Sequence, residues 1–515
     1  MKKIINSGIW IQPIIFGTTI IYFYNQNPRF LSSNKNIALL FLASLLPALL
    51  IVADNIGRPR EQDAYSGKEK AMYPPVPEQM LYKHPTGIVL GKYKKQYFCR
   101  DINADGHVFL IGGSGSGKSS CHVIPTLLAN PKARIFAVDI KGELSFKSAK
   151  YADEHVLIFN PQDRSKYGYN PFFELDKNSS SQKILEVMQT IVYSLIPMPA
   201  GLRDPFWKNS ARNLLLGLLI YYYKSGIENF VGVIDEILSR PITDSIAEVM
   251  EKANKKSTEY RYINQFSSME DITLGGIIAE MNNHIVIFAN DQDIRFAFKD
   301  NGCKINPHKL EEGYSIYLSI REEKLSAYYD VMQLIINQTL AELEKRPEDS
   351  EPVIFVIDEL PRILSAGKLD RLLDGARTLR SRRVVLFLIT QSTEALMSAF
   401  TENEVADLIS NCPYIIVLSA SSTKTQKSVC SWCGKYKVRK QSWNGSGNDR
   451  KVSVTYEEKD IVEPAELMTL ANTGEAIIIS PWGYNRVKKV PYYEDKILKP
   501  MADEIVKYNK TISKM

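Results

Sequence analysis

The chain reads as an α/β protein: a parallel sheet covered by helices, with an all-α segment set into it and a transmembrane helical hairpin ahead of it. Three observations carry this reading. A complete glycine-rich phosphate loop, Gly112-Gly113-Ser114-Gly115-Ser116-Gly117-Lys118-Ser119, follows the apolar run at 108–111. Short apolar runs that read as buried strands recur after it, and several end in polar residues. Two uncharged apolar stretches occupy most of the first 53 residues.

Bulk properties set the frame. At 515 residues the chain exceeds one core and fits two or three domains. With 64 basic against 58 acidic residues, the net charge of +6 neither demands nor forbids a nucleic-acid partner. The six cysteines are too few to frame a chain this large with disulfides and suit a reducing compartment.

The stretches 4–24 and 37–53 are each long enough, at about 1.5 Å per residue, to nearly or fully cross a hydrocarbon core of roughly 30 Å. Pro47 is tolerable in such a helix. The joining loop, 25–36, is short enough to make the two a hairpin and holds only Arg29 and Lys35. Lys2 and Lys3 flank one end, and Arg58, Arg60, Lys68 and Lys70 the other. This bias puts both ends in the cytoplasm and predicts a two-pass plasma-membrane protein with its N-terminus and nucleotide site on the cytosolic side.

The phosphate loop lies between an apparent strand and the helix-like run 123–128. Its glycines let backbone N–H groups converge on a polyphosphate. Lys118 is placed to reach the terminal phosphates of ATP, and the Ser119 hydroxyl to ligate Mg²⁺. The run 133–139, ending in Asp139, completes a βαβ unit. A third strand, 352–357, ends in the acidic pair Asp358-Glu359. There Asp358 suits the metal, and Glu359 suits the attacking water. A fourth strand, 384–389, ends in Thr390-Gln391-Ser392, which brings the Gln391 amide to the same sheet edge as the phosphates. Arg377, Arg380, Arg382 and Arg383 fall between the third and fourth strands. They read either as a solvated face or as the source of an arginine that completes the ATP site of a neighbouring subunit. A further strand covers 414–418.

The gap between Asp139 and Asp358 is too long for a simple crossover. Helical signals dominate it, with Pro205 at a first helical turn after Asp204 and further helices at 241–255 and 274–289. The chain returns through a strand at 314–320 and a helix near 328–344. Residues 436–456 read as a polar loop whose basic residues can touch a phosphate backbone or equally well face only solvent. A hairpin is expected around Pro481-Trp482-Gly483. Cys430-x-x-Cys433 lacks a second pair and is a weak zinc signal. These signals divide the chain into a membrane hairpin (1–56), a first ATPase part (57–184), an all-α insertion (185–300), and a second ATPase part with the C-terminal hairpin region (301–515).

Taken together, these residues resemble the VirD4/TraG coupling proteins of type IV secretion and conjugation. The likeness rests on the membrane hairpin, Gly112 to Ser119, and Asp139-x-Lys141-Gly142-Glu143. It also rests on Asn170-Pro171, Phe206-Trp207, Asp358-Glu359, Arg380-Ser381-Arg382 and Gln391-Ser392. Ile140 stands where that family often has proline. The resemblance implies a RecA-like P-loop ATPase domain and an all-α domain where substrate docks. It implies a membrane-anchored homo-hexamer with ATP at subunit boundaries, and cargo of single-stranded DNA bound to a relaxase, passed to type IV secretion channel components. Arg380 matches the family's arginine finger, with Arg382 as the alternative, and Glu143 matches an acidic position of open role. Two other functions fit part of the pattern: a double-stranded DNA pump of the cell-division or sporulation type, and an ATP-dependent docking receptor for secreted protein effectors.

Overall fold

The computed structural model describes residues 16–22, 24–26, 33–43, 76–151, 153–163, 166–199, 201–299, 304–444 and 451–512. Two compact units emerge: Met1–Ala71 with Tyr436–Lys459, and Met72–Lys435 with Asp460–Met515.

A twelve-stranded sheet organises the second unit. Its strands are β1 (Leu81–Tyr82), β2 (Ile88–Tyr93), β3 (Gln96–Arg100), β4 (Val108–Ile111), β5 (Arg134–Asp139), β6 (Val156–Phe159), β7 (Ser315–Ser319), β8 (Val353–Ile357), β9 (Val384–Thr390), β10 (Tyr414–Val417), β13 (Glu475–Ser480) and β14 (Gly483–Lys488). In space they run β1-β3-β2-β14-β13-β10-β4-β9-β8-β5-β7-β6. The stretch from β10 to β6 is parallel throughout. From β13 outward the pairing is antiparallel. The central strands are buried on both faces, which is why they read as unbroken apolar runs.

Side chains alternate across the pleat and feed two cores. Phe109 and Ile111 enter one; Val108 and Leu110 enter the other. The first core continues into the helices Ser181–Leu195, Phe206–Lys224, Phe230–Leu238, Ile242–Lys252, Thr258–Asn264, Asp271–Asn290 and Gln292–Phe298, which fill the chain between β6 and β7. Among the described residues, Asp271–Asn290 is the one helix long and apolar enough to cross a membrane. Its Leu274, Ile277, Met281, Ile285 and Phe288 recur at three- and four-residue spacing and are buried in that core. The second core is covered by the helices Ile124–Ala129, Glu143–Ser148 and Leu498–Ile512.

In the first unit, residues 16–22 and 34–43 are helical, and Phe16 meets Phe41 edge to face with ring centroids 5.2 Å apart. Much of the two expected membrane spans lies outside the described residues. Of residues 436–456, expected to form a loop, 436–444 and 451–456 instead lie on two paired strands, β11 (Lys435–Asn444) and β12 (Lys451–Asp460). The polar composition masked an alternation of Tyr436 and Val438 on one strand with Val452, Val454 and Tyr456 on the other.

Candidate nucleotide-binding site

The phosphate loop leaves the carboxyl end of β4 and is anchored from both sides. Gly112 N–H donates to the Thr390 carbonyl at the end of β9 (3.1 Å). Gly113 N–H donates to Ser419 Oγ just beyond β10 (2.9 Å). A Cβ on Gly112 would meet Ser116 Oγ at 2.5 Å, so only glycine lets the loop fold back on itself there. Gly117 has φ 94°, and a Cβ would lie 2.7 Å from Cys121 Sγ. Among the described residues, no acceptor takes the amides of Gly115 or Gly117, so both remain for an anion. The first helical turn, Ser119–Val123, has the wide π spacing. Pro125 follows it; it lacks an N–H and crowds the carbonyl four residues back.

The acidic pair comes to this loop from β8. Ser119 Oγ donates to Asp358 Oδ2 at 3.4 Å across 239 positions of sequence. Lys118 Nζ lies 3.5 Å from Glu359 Oε1 and 3.2 Å from the Gly113 carbonyl. Gln391 donates its side-chain N–H to Glu359 Oε2 at 3.1 Å. Burial first, then the neighbouring Glu359 and Asp139, raise the Asp358 carboxyl to about 7, against the pull of Lys118 and Ser119. Its Oδ1 is shut from solvent with no hydrogen-bond partner. A carboxylate desolvated beside other acids, with an orphaned oxygen and a serine hydroxyl next to it, fits a divalent cation. Glu359 adopts φ 56°, ψ 49°, a left-handed conformation costing roughly 1–2 kcal/mol for a residue with a Cβ.

Lys118, Ser119, Asp358, Glu359 and Gln391 thus converge. The other expected residues do not. Arg380 sits before β9, at the amino edge of the sheet, where it pairs with the exposed Asp105 at 3.1 Å. Arg377 is bound to Asp407 and Arg383 to Asn103. Arg382 has no ion pair or hydrogen bond from its side chain among the described residues. Asp139 accepts from the Leu144 and Ser145 amides (3.1 and 2.8 Å) and holds the start of Glu143–Ser148. Glu143 is paired with Lys147. Cys430 and Cys433 are buried in the core, and burial pushes the Cys433 thiol up to about 12. Among the described residues no cluster of three or more metal-ligating side chains occurs. Sequence reasoning gave Ser419 no role. Its signal was position: a small polar residue just past a buried strand, matching Gln391 and Ser392 past β9.

One strand, β9, separates the phosphate-loop strand β4 from the acid-pair strand β8, and Gln391 just beyond its end touches the acid. That order and this site define a RecA-like P-loop fold. Comparison with known proteins narrows the class. Residues 64–515 match the family model described as Type IV secretory system Conjugative DNA transfer, and the chain belongs to that family. Its relatives include Protein VirD4 of Rhizobium radiobacter, 21% identical over 410 residues, covering 77% of this chain and 58% of that protein. The type IV secretion system-coupling protein VirD4 of Bartonella quintana is 21% identical over 396 residues, covering 72% and 60%. The chain therefore spans only about 60% of the length of these relatives. Among solved structures, the plasmid coupling protein TrwB in complex with the ATP analogue ADPNP superposes with a TM-score of 0.62 at 18% identity, covering 80% of this chain and 91% of that one. TrwB in complex with ADP and Mg²⁺ gives 0.62 at 17%, covering 81% and 91%. VirB4 of Thermoanaerobacter pseudethanolicus gives 0.51 at 16%, covering 82% and 99%. At such identities the likeness to the solved structures is one of fold.

Proposed function

We propose that this chain is a membrane-anchored, Mg²⁺-dependent ATPase that couples single-stranded DNA carrying a relaxase to a type IV secretion channel and drives its transfer. The observation that carries the catalytic half is the meeting of Ser119 with Asp358 and of Lys118 with Glu359. Family membership carries the transfer half.

The reaction is ATP + H₂O → ADP + phosphate. Gly112 to Ser119 cradle the phosphates, and Lys118 exchanges its Gly113 and Glu359 contacts for phosphate oxygens. Ser119 and Asp358 would hold Mg²⁺, which would supply positive charge against the phosphate oxygens. Glu359 orients the attacking water and accepts its proton, and Gln391 fixes the carboxylate that does so. Arg380 completes the site of the next subunit in a hexameric ring. Two-pass anchoring is supported by the apolar N-terminal helices, on which Ile21, Leu39 and Leu42 are 61, 68 and 65% exposed. A double-stranded DNA pump is the alternative reading, and stimulation of turnover by duplex rather than single-stranded DNA would favour it.

ATP hydrolysis by the detergent-solubilised full chain, with single-stranded, duplex or no DNA, tests this reading. Single-stranded DNA is expected to stimulate turnover. Lys118→Ala is expected to lower it by about 10²–10³, the scale for removing one group that stabilises developing charge, without release from the membrane. Equal turnover in all three conditions, with no DNA binding, would favour the protein-docking function instead.

A further inference from the structure

Sheet order fixes which way a nucleotide must run across the phosphate loop. The acid pair and Gln391 lie beyond β9 and β8 on one side of β4, so the γ-phosphate faces that side. The α-phosphate and nucleoside then leave in the other direction, past the start of the helix at Ser119 and Ser120. The chain after β14 occupies that exit. Tyr492 N–H donates to the Ser120 carbonyl at 3.0 Å, one residue beyond the hydroxyl assigned to the metal.

The exit segment is a rigid turn. Glu494 N–H closes it on the Pro491 carbonyl at 3.0 Å. On one side, Lys489 N–H is tied to the Gly474 carbonyl (2.9 Å) and Lys489 Nζ to the Ala471 carbonyl (2.9 Å). On the other, Asp495 accepts from Tyr97 OH (2.6 Å) and pairs with Lys92. The Tyr492 ring is fixed under Lys147 Nζ, 5.3 Å from its centroid. Tyr493 meets that ring edge-on, with centroids 5.4 Å apart and planes at 83°, yet stays 49% exposed. The bond from Tyr492 N–H to the Ser120 carbonyl keeps Tyr493, the next residue, close to the first turn of the nucleotide helix. The open face of a ring held in this way can take a planar partner by offset stacking.

We propose that Tyr493 is the nucleobase wall of the ATP site, stacking on the base of a nucleoside triphosphate whose phosphates lie on Gly112 to Ser119. This rests on the nucleotide reading above and assigns the end of the ligand that the phosphate loop leaves unread. The role is one of binding: the ring orients the nucleoside and takes no part in bond making.

The test is calorimetric binding of Mg²⁺-ATP and of inorganic tripolyphosphate with Mg²⁺ to the full chain in detergent. Tyr493→Ala is expected to weaken ATP roughly 5- to 100-fold, the range measured for removing an aromatic from under a base, and to leave tripolyphosphate within about twofold, since that ligand has no base. Tyr493→Phe keeps the ring and is expected to retain ATP affinity within about twofold. Lys118→Ala is the control that must weaken both ligands. Unchanged ATP binding by Tyr493→Ala, or equal weakening of ATP and tripolyphosphate, overturns the assignment while leaving the phosphate site intact. Failure of the native chain to bind either ligand overturns the nucleotide reading and this inference with it.

Discussion

Glu359 shows how much is asked of one residue here. Its left-handed backbone carries a cost that glycine would avoid. Its carboxylate lies within reach of both Lys118 and Gln391. Glu359→Gln keeps the shape but removes the group that takes a proton from water. Hydrolysis is expected to fall about 10²–10⁴-fold. ATP affinity is expected to hold or rise, because Lys118 no longer has a competing anion at 3.5 Å. Single-turnover hydrolysis alongside equilibrium binding separates the two effects, and native-rate turnover would remove Glu359 from the chemistry. His107 bears on stability instead. It accepts from the Leu386 amide at Nδ1 (3.1 Å), so Nε2 carries the proton toward the Ala376 carbonyl (3.0 Å). Burial lowers it from 6.5 to about 4. Between those values the unfolded chain binds the extra proton, so stability is lost as pH falls from about 6.5 to about 4. The loss is of order 3 kcal/mol for this group. His107→Gln retains an acceptor and a donor without a titration. Its thermal midpoint should therefore decline less steeply than the native protein's over that window. Parallel curves would mean that His107 is not the source.

At the scale of elements, the site is an assembly of strand ends. The βαβ unit, the acid-pair strand, the Gln391 strand and the hairpin at Pro481-Trp482 were all legible, because each is an apolar run stopped by residues with distinct chemistry. The helices Phe206–Lys224, Ile242–Lys252 and Asp271–Asn290 were legible from proline starts and helical spacing. What escaped was structure that depends on distant partners. β1, β2 and β3 form an antiparallel edge whose Gly91 and Lys94 break the pattern of a strand. β6 has only four residues and gains its identity from β7 beside it. The Leu498–Ile512 helix is polar on most of its surface and is held by a narrow strip around Leu498 and Ala502. The order β4-β9-β8 was not legible either. No local signal states that β9, late in the chain, inserts between two earlier strands, yet this insertion brings Gln391 to Glu359. Ser419 belongs to the same class: its value comes from Gly113, which is 306 positions away.

For the molecule as a whole, the edges of the sheet carry opposite halves of one proposed reaction centre. The phosphate loop, Asp358, Glu359 and Gln391 occupy the carboxyl edge; Arg380 occupies the amino edge. Strand β9 runs from Val384 to Thr390, so the two edges are roughly 20 Å apart. No arginine side chain spans that distance, so any part Arg380 takes in the proposed reaction centre is taken in a second copy of the chain. A ring in which each subunit presents its arginine edge to the neighbour's carboxyl edge resolves this, and it makes a distinctive prediction. Arg380→Ala is expected to lower turnover by about 10³–10⁵, as loss of an arginine finger does, while leaving ATP binding to its own phosphate loop intact. Lys118→Ala is expected to be inactive for the opposite reason. Coexpressed in one membrane, the two inactive chains form some interfaces in which an intact phosphate loop from one faces an intact Arg380 from the other. ATP hydrolysis should reappear at those interfaces and scale with the fraction of mixed neighbours. Arg382→Ala, run in parallel, shows which of the two arginines is used. A mixture as inactive as either parent, with both chains folded and present in equal amounts, would mean that the arginine edge does not complete a neighbouring site.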